Sequence, residues 1–278
     1  MQPTASVIFT TYNQPEWLEK VLLGFAAQDR HDFEVIVADD GSGEPTRERI
    51  ERLRPGLPFP LRHLWQEDDG FRKCEALNGA IAASTADYLV FTDGDCIPRG
   101  DFLSTHLRLR QPGRFLSGGY HKLPMDTSLD IGADDIASGR CFEVDWLKAH
   151  GMPASHRNLK LGAGPRLGAL LDLVSPARAS WNGHSASAWK RDILAVNGFD
   201  ERMRYGGEDR EFGERLENAG VRGLRIRHRA ATIHLDHARG YVTAEGIEFN
   251  RRLREETRRT RRTWTEYGIV KGPPPQPA

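Results

Sequence analysis

The sequence predicts an α/β protein built on a mostly parallel central sheet flanked by helices. Three features carry this expectation. Short apolar segments alternate with amphipathic ones over about the first hundred residues; the apolar segments are continuous rather than alternating; and each ends in polar turn residues. Strands covered on both faces by crossover helices read in this way.

The elements follow in order. Val7, Ile8 and Phe9 form an apolar run ending in Thr10-Thr11-Tyr12-Asn13, after which Pro15 opens a helix with Leu18, Val21, Leu22 and Phe25 on one face. Val35, Ile36, Val37 and Ala38 make a second strand, stopped by Asp39-Asp40-Gly41-Ser42-Gly43. A third strand is expected over 61–65, a helix over 74–83, and a fourth strand over 88–92, ending at Asp93-Gly94-Asp95. Residues 118–180 are rich in glycine and proline with weak periodicity, which predicts loops and short helices. Regular pattern returns over 188–196 and again over 208–218, where Phe212 and Leu216 share a face and Gly220 can end the helix. A strand is expected over 230–233 and a basic helix over 245–264, carrying Arg251, Arg252, Arg254, Arg258, Arg259, Arg261 and Arg262. Gly272-Pro273-Pro274-Pro275 reads as a flexible or polyproline end.

Composition narrows the function classes. A chain of 278 residues can bury roughly 75% of its unfolded surface, so it can build a core without metal or disulfide staples. Basic and acidic residues balance at 39 each, which argues against a nucleic-acid-binding surface as a whole. Cys74, Cys96 and Cys141 are odd in number and widely spaced, fitting neither a disulfide framework nor a zinc knuckle; a reducing cytoplasm is the default expectation. The first residues lack the pattern of a secretory signal, and no window approaches the ~20 apolar residues of a membrane helix. The arginine-rich helix leaves peripheral contact with anionic lipid as an expectation, located at the inner face of a membrane.

In open parallel sheets ligands bind beyond the carboxyl ends of the strands, where this sequence places Asn13, Asp40, Asp93 and Asp95. Asp93 and Asp95, separated by a flexible glycine, suit Mg2+ or Mn2+, which keep few protein ligands and fill the rest from substrate phosphates. Asp40 could accept from a ribose hydroxyl or a pyrimidine N–H, or simply close a turn. Glu208 and Asp209 follow Gly206-Gly207 at a helix N-terminus, where the dipole favours carboxylates; an ionised, positioned carboxylate can deprotonate an alcohol. His234-Leu235-Asp236-His237 follows a strand. Extended geometry would set His234 and Asp236 on one face with His237 pointing away, and one imidazole could complete a metal shell beside Asp95. The glycines of 162–168 have the wrong spacing for a dinucleotide loop, a proline interrupts them, and no clear strand precedes them.

Taken together, Val7 to Asn13, Asp39-Asp40-Gly41-Ser42, Phe91-Thr92-Asp93-Gly94-Asp95, and Gly198-Phe199-Asp200-Glu201 through Glu208-Asp209 occur in the order seen in family 2 glycosyltransferases. The stretch from Trp181-Asn182-Gly183-His184 onward resembles the C-terminal region of galactosyltransferase-like enzymes. The likeness covers about residues 5–241. It implies a Rossmann-like nucleotide-diphosphosugar transferase fold of the GT-A type, Mn2+ or Mg2+ dependence, and inversion at the anomeric carbon. It also implies a transferase domain over 1–241 whose halves meet near 115, a basic helix over 242–265 and a flexible tail over 266–278. By the same resemblance Thr11, Tyr12 and Asn13 line the nucleotide pocket, Asp40 reads the base, and Asp93 contacts ribose or sugar. Arg72 contacts phosphate or sugar; Asp95 with His234 or His237 holds the metal; Glu208 holds the acceptor; Asp209 is the base; and Asn182 and His184 face the acceptor. The partners so implied are a nucleotide-diphosphate sugar, with UDP the favoured carrier, and a glycan or lipid-linked glycan acceptor of the bacterial cell surface.

Two other readings compete. A metal-dependent phosphatase could use Asp93 as nucleophile and Asp95 as acid, but that arrangement prefers its D-x-D strand first in the domain with a small hydroxyl or valine beyond, whereas Ile97 follows here. A non-catalytic glycan- or nucleotide-binding module would tolerate Asp209→Asn.

Overall fold

The computed structural model describes residues 2–155, 158–238 and 242–274. Its strands are β1 (Ser6–Thr11), β2 (Glu34–Asp39), β3 (Leu61–Trp65), β4 (Tyr88–Asp93), β5 (Cys96–Pro98), β6 (Arg114–Ser117), β7 (Gly119–Lys122), β8 (Ala186–Trp189), β9 (Arg222–Arg225) and β10 (Ala231–His234). The first helices are α1 (Pro15–Ala26), α2 (Glu44–Leu53), α3 (Lys73–Ala83) and α4 (Phe102–Leu109), and the glycine- and proline-rich middle supplies α5 (Met125–Asp130), α6 (Ala133–Ala137), α7 (Val144–Ala149), α8 (Leu159–Gly162) and α9 (Pro165–Val174). The last are α10 (Lys190–Ala195), α11 (Glu208–Asn218) and α12 (Ala244–Thr260).

Among the described residues the main sheet has seven strands in the order β3-β2-β1-β4-β8-β6-β9. β8 runs antiparallel to both its neighbours, and the remaining pairings are parallel. The Val7, Val35 and Val90 side of the sheet packs under α1 and α4, and the Ile8, Ile36, Leu89 and Phe91 side packs on α3 and α11. Burial on both faces is the reason these strands read as continuous apolar runs. A second sheet, β5-β10-β7, joins the rim of the first to the middle of the chain.

Register decides where the polar ends fall. Thr11 lies opposite Asp39 and Thr10 opposite Asp93, so β1, β2 and β4 finish on one rim. Gly94 then turns over the end of β1: its N–H donates to the Thr10 carbonyl at 2.9 Å, and a Cβ there would stand 2.5 Å from the same oxygen. The turn sends Asp93 and Asp95 to different sides.

Two sets of contacts hold the C-terminal segments. Thr257 of α12 donates to Glu211 of the fully buried Glu211–Arg215 pair on α11 at 2.8 Å, and Arg254 and Arg258 both reach Glu214 at 2.7 Å. The tail expected to be flexible from 266 is held through residue 271. The Asn197 side chain donates to the carbonyls of Thr265 and Val270 and accepts from the Val270 N–H, and Lys271 pairs with Glu201. Neither anchor is visible to local pattern, since the partners lie far apart in the chain. The boundary drawn at 241 and the last four residues of the tail lie outside the described residues.

Candidate active site

The rim of the main sheet, the loop before α11 and the end of β10 enclose one cavity of about 870 Å3. Thr11, Tyr12, Asn13, Asp40, Asp93, Asp95, Asn182, His184, Glu208, Asp209, His234 and His237 all line it. Of the residues singled out from sequence, Arg72 is the exception.

On one wall, Asp95 faces two imidazoles. His237 Nε2 lies 2.8 Å and His234 Nε2 3.7 Å from Asp95 Oδ2. The expectation that His237 would point away fails because the strand stops at His234: Leu235 N–H donates to the Asp95 carbonyl at 2.9 Å, the chain turns, and Asp236 leaves to pair with Lys122. Burial works to raise the Asp95 pKa, but the His237 hydrogen bond and the charges of both histidines outweigh it, holding the carboxyl below its ordinary value. One carboxylate and two imidazoles with ligand atoms within 4.8 Å of one another form a donor set for a divalent cation. The nitrogen donors fit Mn2+ better than Mg2+, which prefers oxygen. Tyr120 continues this wall, with its ring 4.4 Å from His184 and 5.5 Å from His234. Burial, helped by the charges of His234 and Arg227, lowers His184 to about 3, so it is neutral.

The other wall gathers Asp93, Glu208 and Asp209 around Lys73, which the sequence reading missed. Lys73 Nζ lies 3.1 Å from Asp93 Oδ1 and 4.0 Å from Glu208 Oε1. Burial opposes its charge, yet Asp93, Asp209 and Glu208 more than reverse that and raise it well above the usual lysine value. Asp209 behaves oppositely to Asp95. Burial pushes it up to about 7, with Lys73 pulling down and Glu208 and Asp93 adding to the rise. Its Oδ1 is buried and has no hydrogen-bond partner among the described residues. Gly206 and Gly207, both at positive φ (104° and 106°), turn the chain into α11, and the Gly206 N–H donates to Glu208 Oε2 at 2.8 Å. Asn250 on α12 holds this loop by donating to the carbonyls of Arg204 and Gly206 at 2.6 and 3.2 Å. Gly183 closes over the cluster: a Cβ there would lie 3.0 Å from both Asp209 Oδ2 and Asp93 Oδ1.

At the nucleotide end, Asp40 accepts from Gln66 Nε2 at 2.6 Å and from the Arg72 N–H at 2.8 Å; burial raises it to about 6. Arg72 contributes that backbone N–H, while its guanidinium turns to Glu75 and the Glu67 carbonyl and does not line the cavity. The phosphate or sugar contact expected of its side chain is therefore withdrawn; as the cap of α3, Arg72 points along the loop, and the next residue, Lys73, points inward. Asn13 sits at φ 50° and staples two loops, its N–H donating to Ser42 Oγ and its Oδ1 accepting from the Gly43 N–H. Tyr12 donates to Asp68 at 2.9 Å, and the buried Thr11 Oγ1 has no hydrogen-bond partner among the described residues. The Asn182 amide accepts from the Ser185 N–H at 2.8 Å and donates to Ser117 Oγ on β6 at 3.3 Å.

The mostly parallel sheet carries an acid-rimmed cavity at its rim, with a carboxylate–imidazole cluster on one wall and a raised carboxyl on the other, and its fold is that of the GT-A glycosyltransferase structures it matches. Residues 6–117 match the model of glycosyl transferase family 2, and residues 176–238 match that described as the N-terminal domain of galactosyltransferase. The chain is thus similar to family 2 glycosyltransferases over its first part and to galactosyltransferases over its second. It is 28% identical over 235 residues to a validoxylamine A glucosyltransferase of Streptomyces hygroscopicus subsp. jinggangensis, covering 79% of this chain and 52% of the relative. It is 26% identical over 237 residues to a chondroitin synthase of Escherichia coli, covering 77% and 32%. The chain thus spans about half or less of the length of these curated relatives. In fold it matches the mannosyltransferase PcManGT of Pyrobaculum calidifontis, solved with GDP-Man and Mn2+, at a TM-score of 0.57 and 21% identity over 87% of this chain and 59% of that one.

Proposed function

We propose that this protein is an inverting, metal-dependent glycosyltransferase. It moves a hexose from a nucleotide-diphosphate sugar to a hydroxyl of a glycan acceptor. The observation that carries the reading is the pairing of two unlike carboxylates across one cavity, Asp95 held ionised by imidazoles and Asp209 raised to about 7.

Asp95, His234 and His237 would hold the cation, which supplies charge neutralisation to a departing diphosphate when bound. Thr11, Tyr12, Asn13 and Asp40 lie where base and ribose would bind. Asp40 can accept a nucleobase N–H, and UDP is the favoured donor carrier; guanine also presents such a donor. Across the cavity Asp209 takes the proton of the acceptor hydroxyl. A pKa near 7 suits this task, since at neutral pH a sizeable fraction is ionised and the carboxylate is still basic. The acceptor oxygen bonds to the anomeric carbon from the face opposite the leaving group, whose C–O bond breaks with the electron pair staying on the diphosphate. One displacement inverts the centre, so an α-linked donor gives a β-glycoside. Lys73 positions Asp93 and Asp209 and limits the repulsion among the three carboxylates, and Glu208 orients the acceptor. Asn182, His184 and Tyr120 offer polar and aromatic surface for that sugar. The name of the E. coli chondroitin synthase supports a polysaccharide as the acceptor class.

Calorimetry with UDP, GDP and dTDP in the presence of Mn2+ tests the donor side, with UDP expected to bind most tightly and in a metal-dependent manner. No nucleotide binding would remove the enzymatic reading. Nuclear magnetic resonance of the product from an α-linked donor is expected to show a β linkage, and an α product would remove inversion.

A further inference from the structure

The two arginines that flank the start of α11 are tied to the protein. Arg204 donates to the Phe71 carbonyl at 2.7 Å, and Arg254, which stands beside Gly207, meets Glu214 at 2.7 Å. Arg210, in the first turn of α11, is different: it lines the cavity, is exposed, and has no hydrogen-bond or ion-pair partner among the described residues.

Local sequence explains its freedom. A helical side chain meets those three and four positions on, here Gly213 and Glu214. The first has no side chain, and Oε1 of the second already receives Arg254 and Arg258. The other residues of this first turn, Glu208, Asp209 and Glu211, are acids, as the helix dipole favours, so a cation among them runs against the dipole. Neither helix stability nor a tertiary contact accounts for arginine at this position. Balancing the neighbouring acids does not account for it either. Lys73 is the cation that lies among Asp93, Glu208 and Asp209 and chiefly lowers Asp209, and none of the three forms an ion pair with Arg210.

The place of Arg210 in the cavity says which ligand it would meet. It follows Asp209 on the wall of the proposed base, where the acceptor enters, whereas the donor diphosphate belongs at the Asp95–imidazole wall. A carboxylate or a phosphate ester matches the planar guanidinium fork with two parallel hydrogen bonds, which a neutral sugar hydroxyl cannot do. An anionic acceptor would also be repelled by the three carboxylates of this wall unless a cation met it, and Lys73 is already committed to them.

We propose that Arg210 is a specificity-determining residue that binds an anionic group, a uronate carboxylate or a phosphate ester, on the acceptor sugar. The inference rests on the transferase reading and narrows its acceptor to acidic glycans.

Titrations followed by saturation-transfer nuclear magnetic resonance, on the full chain with Mn2+ and whichever of UDP, GDP and dTDP binds, test it. The probes are the methyl glycosides of glucuronate and galacturonate, glucose 6-phosphate and galactose 6-phosphate, and the neutral methyl glucoside and galactoside. At least one acidic probe is expected to bind about tenfold more tightly than its neutral counterpart, and Arg210→Gln should remove that preference at unchanged melting temperature and unchanged nucleotide binding. Arg210→Lys, which keeps the charge and loses the fork, should retain part of it. Whichever arm responds to Arg210→Gln, carboxylate or phosphate, names the group. If no nucleotide binds, the transferase reading falls and this inference with it. If nucleotide binds, equal affinity for acidic and neutral probes, or a preference that survives Arg210→Gln, overturns the inference alone. So does a loss of nucleotide binding in Arg210→Gln as large as the loss of probe binding, which would assign the guanidinium to the donor diphosphate.

Discussion

Asp93 and Asp95 are separated by one glycine yet serve opposite walls of the cavity. Asp95 joins His234 and His237, and Asp93 joins Lys73, Glu208 and Asp209. Both walls bury carboxylates, and burial alone raises a carboxyl pKa. On the first wall two imidazoles face one acid and reverse the effect; on the second a single lysine serves three acids and cannot, so Asp209 rises to about 7. The partners each acid has, rather than its depth, set which carboxyl is held ionised and which is raised toward neutral pH.

Breaking each wall separately should therefore give different failures. Asp209→Asn is expected to lower kcat by about a thousandfold or more, within the range attributed to general bases, while Mn2+-dependent donor binding stays intact; a rate assay beside calorimetry checks both. His237→Ala leaves Asp95 with one imidazole and should weaken Mn2+ binding by about a hundredfold, read by metal titration of the protein without nucleotide. Subtler changes sharpen the contrast. Asp209 acts when ionised, so kcat should rise with pH through about 7 and flatten above it. Removing the cation that favours the ionised form, by Lys73→Met, should move that limb upward by about one pH unit and lower the neutral-pH rate, which a pH–rate profile detects. The smallest effect is expected from Asn250→Ala, which frees the Arg204 and Gly206 carbonyls and should cost about 1–3 kcal/mol of stability in denaturant melts, with a modest loss of kcat.

Legibility from sequence follows the same division. The strand ends of the first half could be read because continuous apolar runs stop abruptly at Asn13, Asp40 and Asp93, and parallel register brings them to one rim. Glu208 and Asp209 were legible because paired glycines precede a strongly periodic helix. Lys73 was not, because Arg72 and Lys73 adjoin and only the start of α3 decides which side chain enters the cavity. His237 was misplaced for a related reason: extended alternation was carried past His234, where β10 ends. The hold of Asn250 on the Gly206 loop and of Asn197 on the tail join residues more than forty positions apart, and such contacts leave no local signature.

The division of labour between the walls is tested most directly by measuring Mn2+-dependent nucleotide binding and turnover side by side in Asp95→Asn and Asp209→Asn. Metal-dependent binding should disappear in the first and persist in the second, with turnover lost in both. Turnover by Asp209→Asn within tenfold of the unmodified protein, or undiminished Mn2+-dependent binding by Asp95→Asn, would contradict the account.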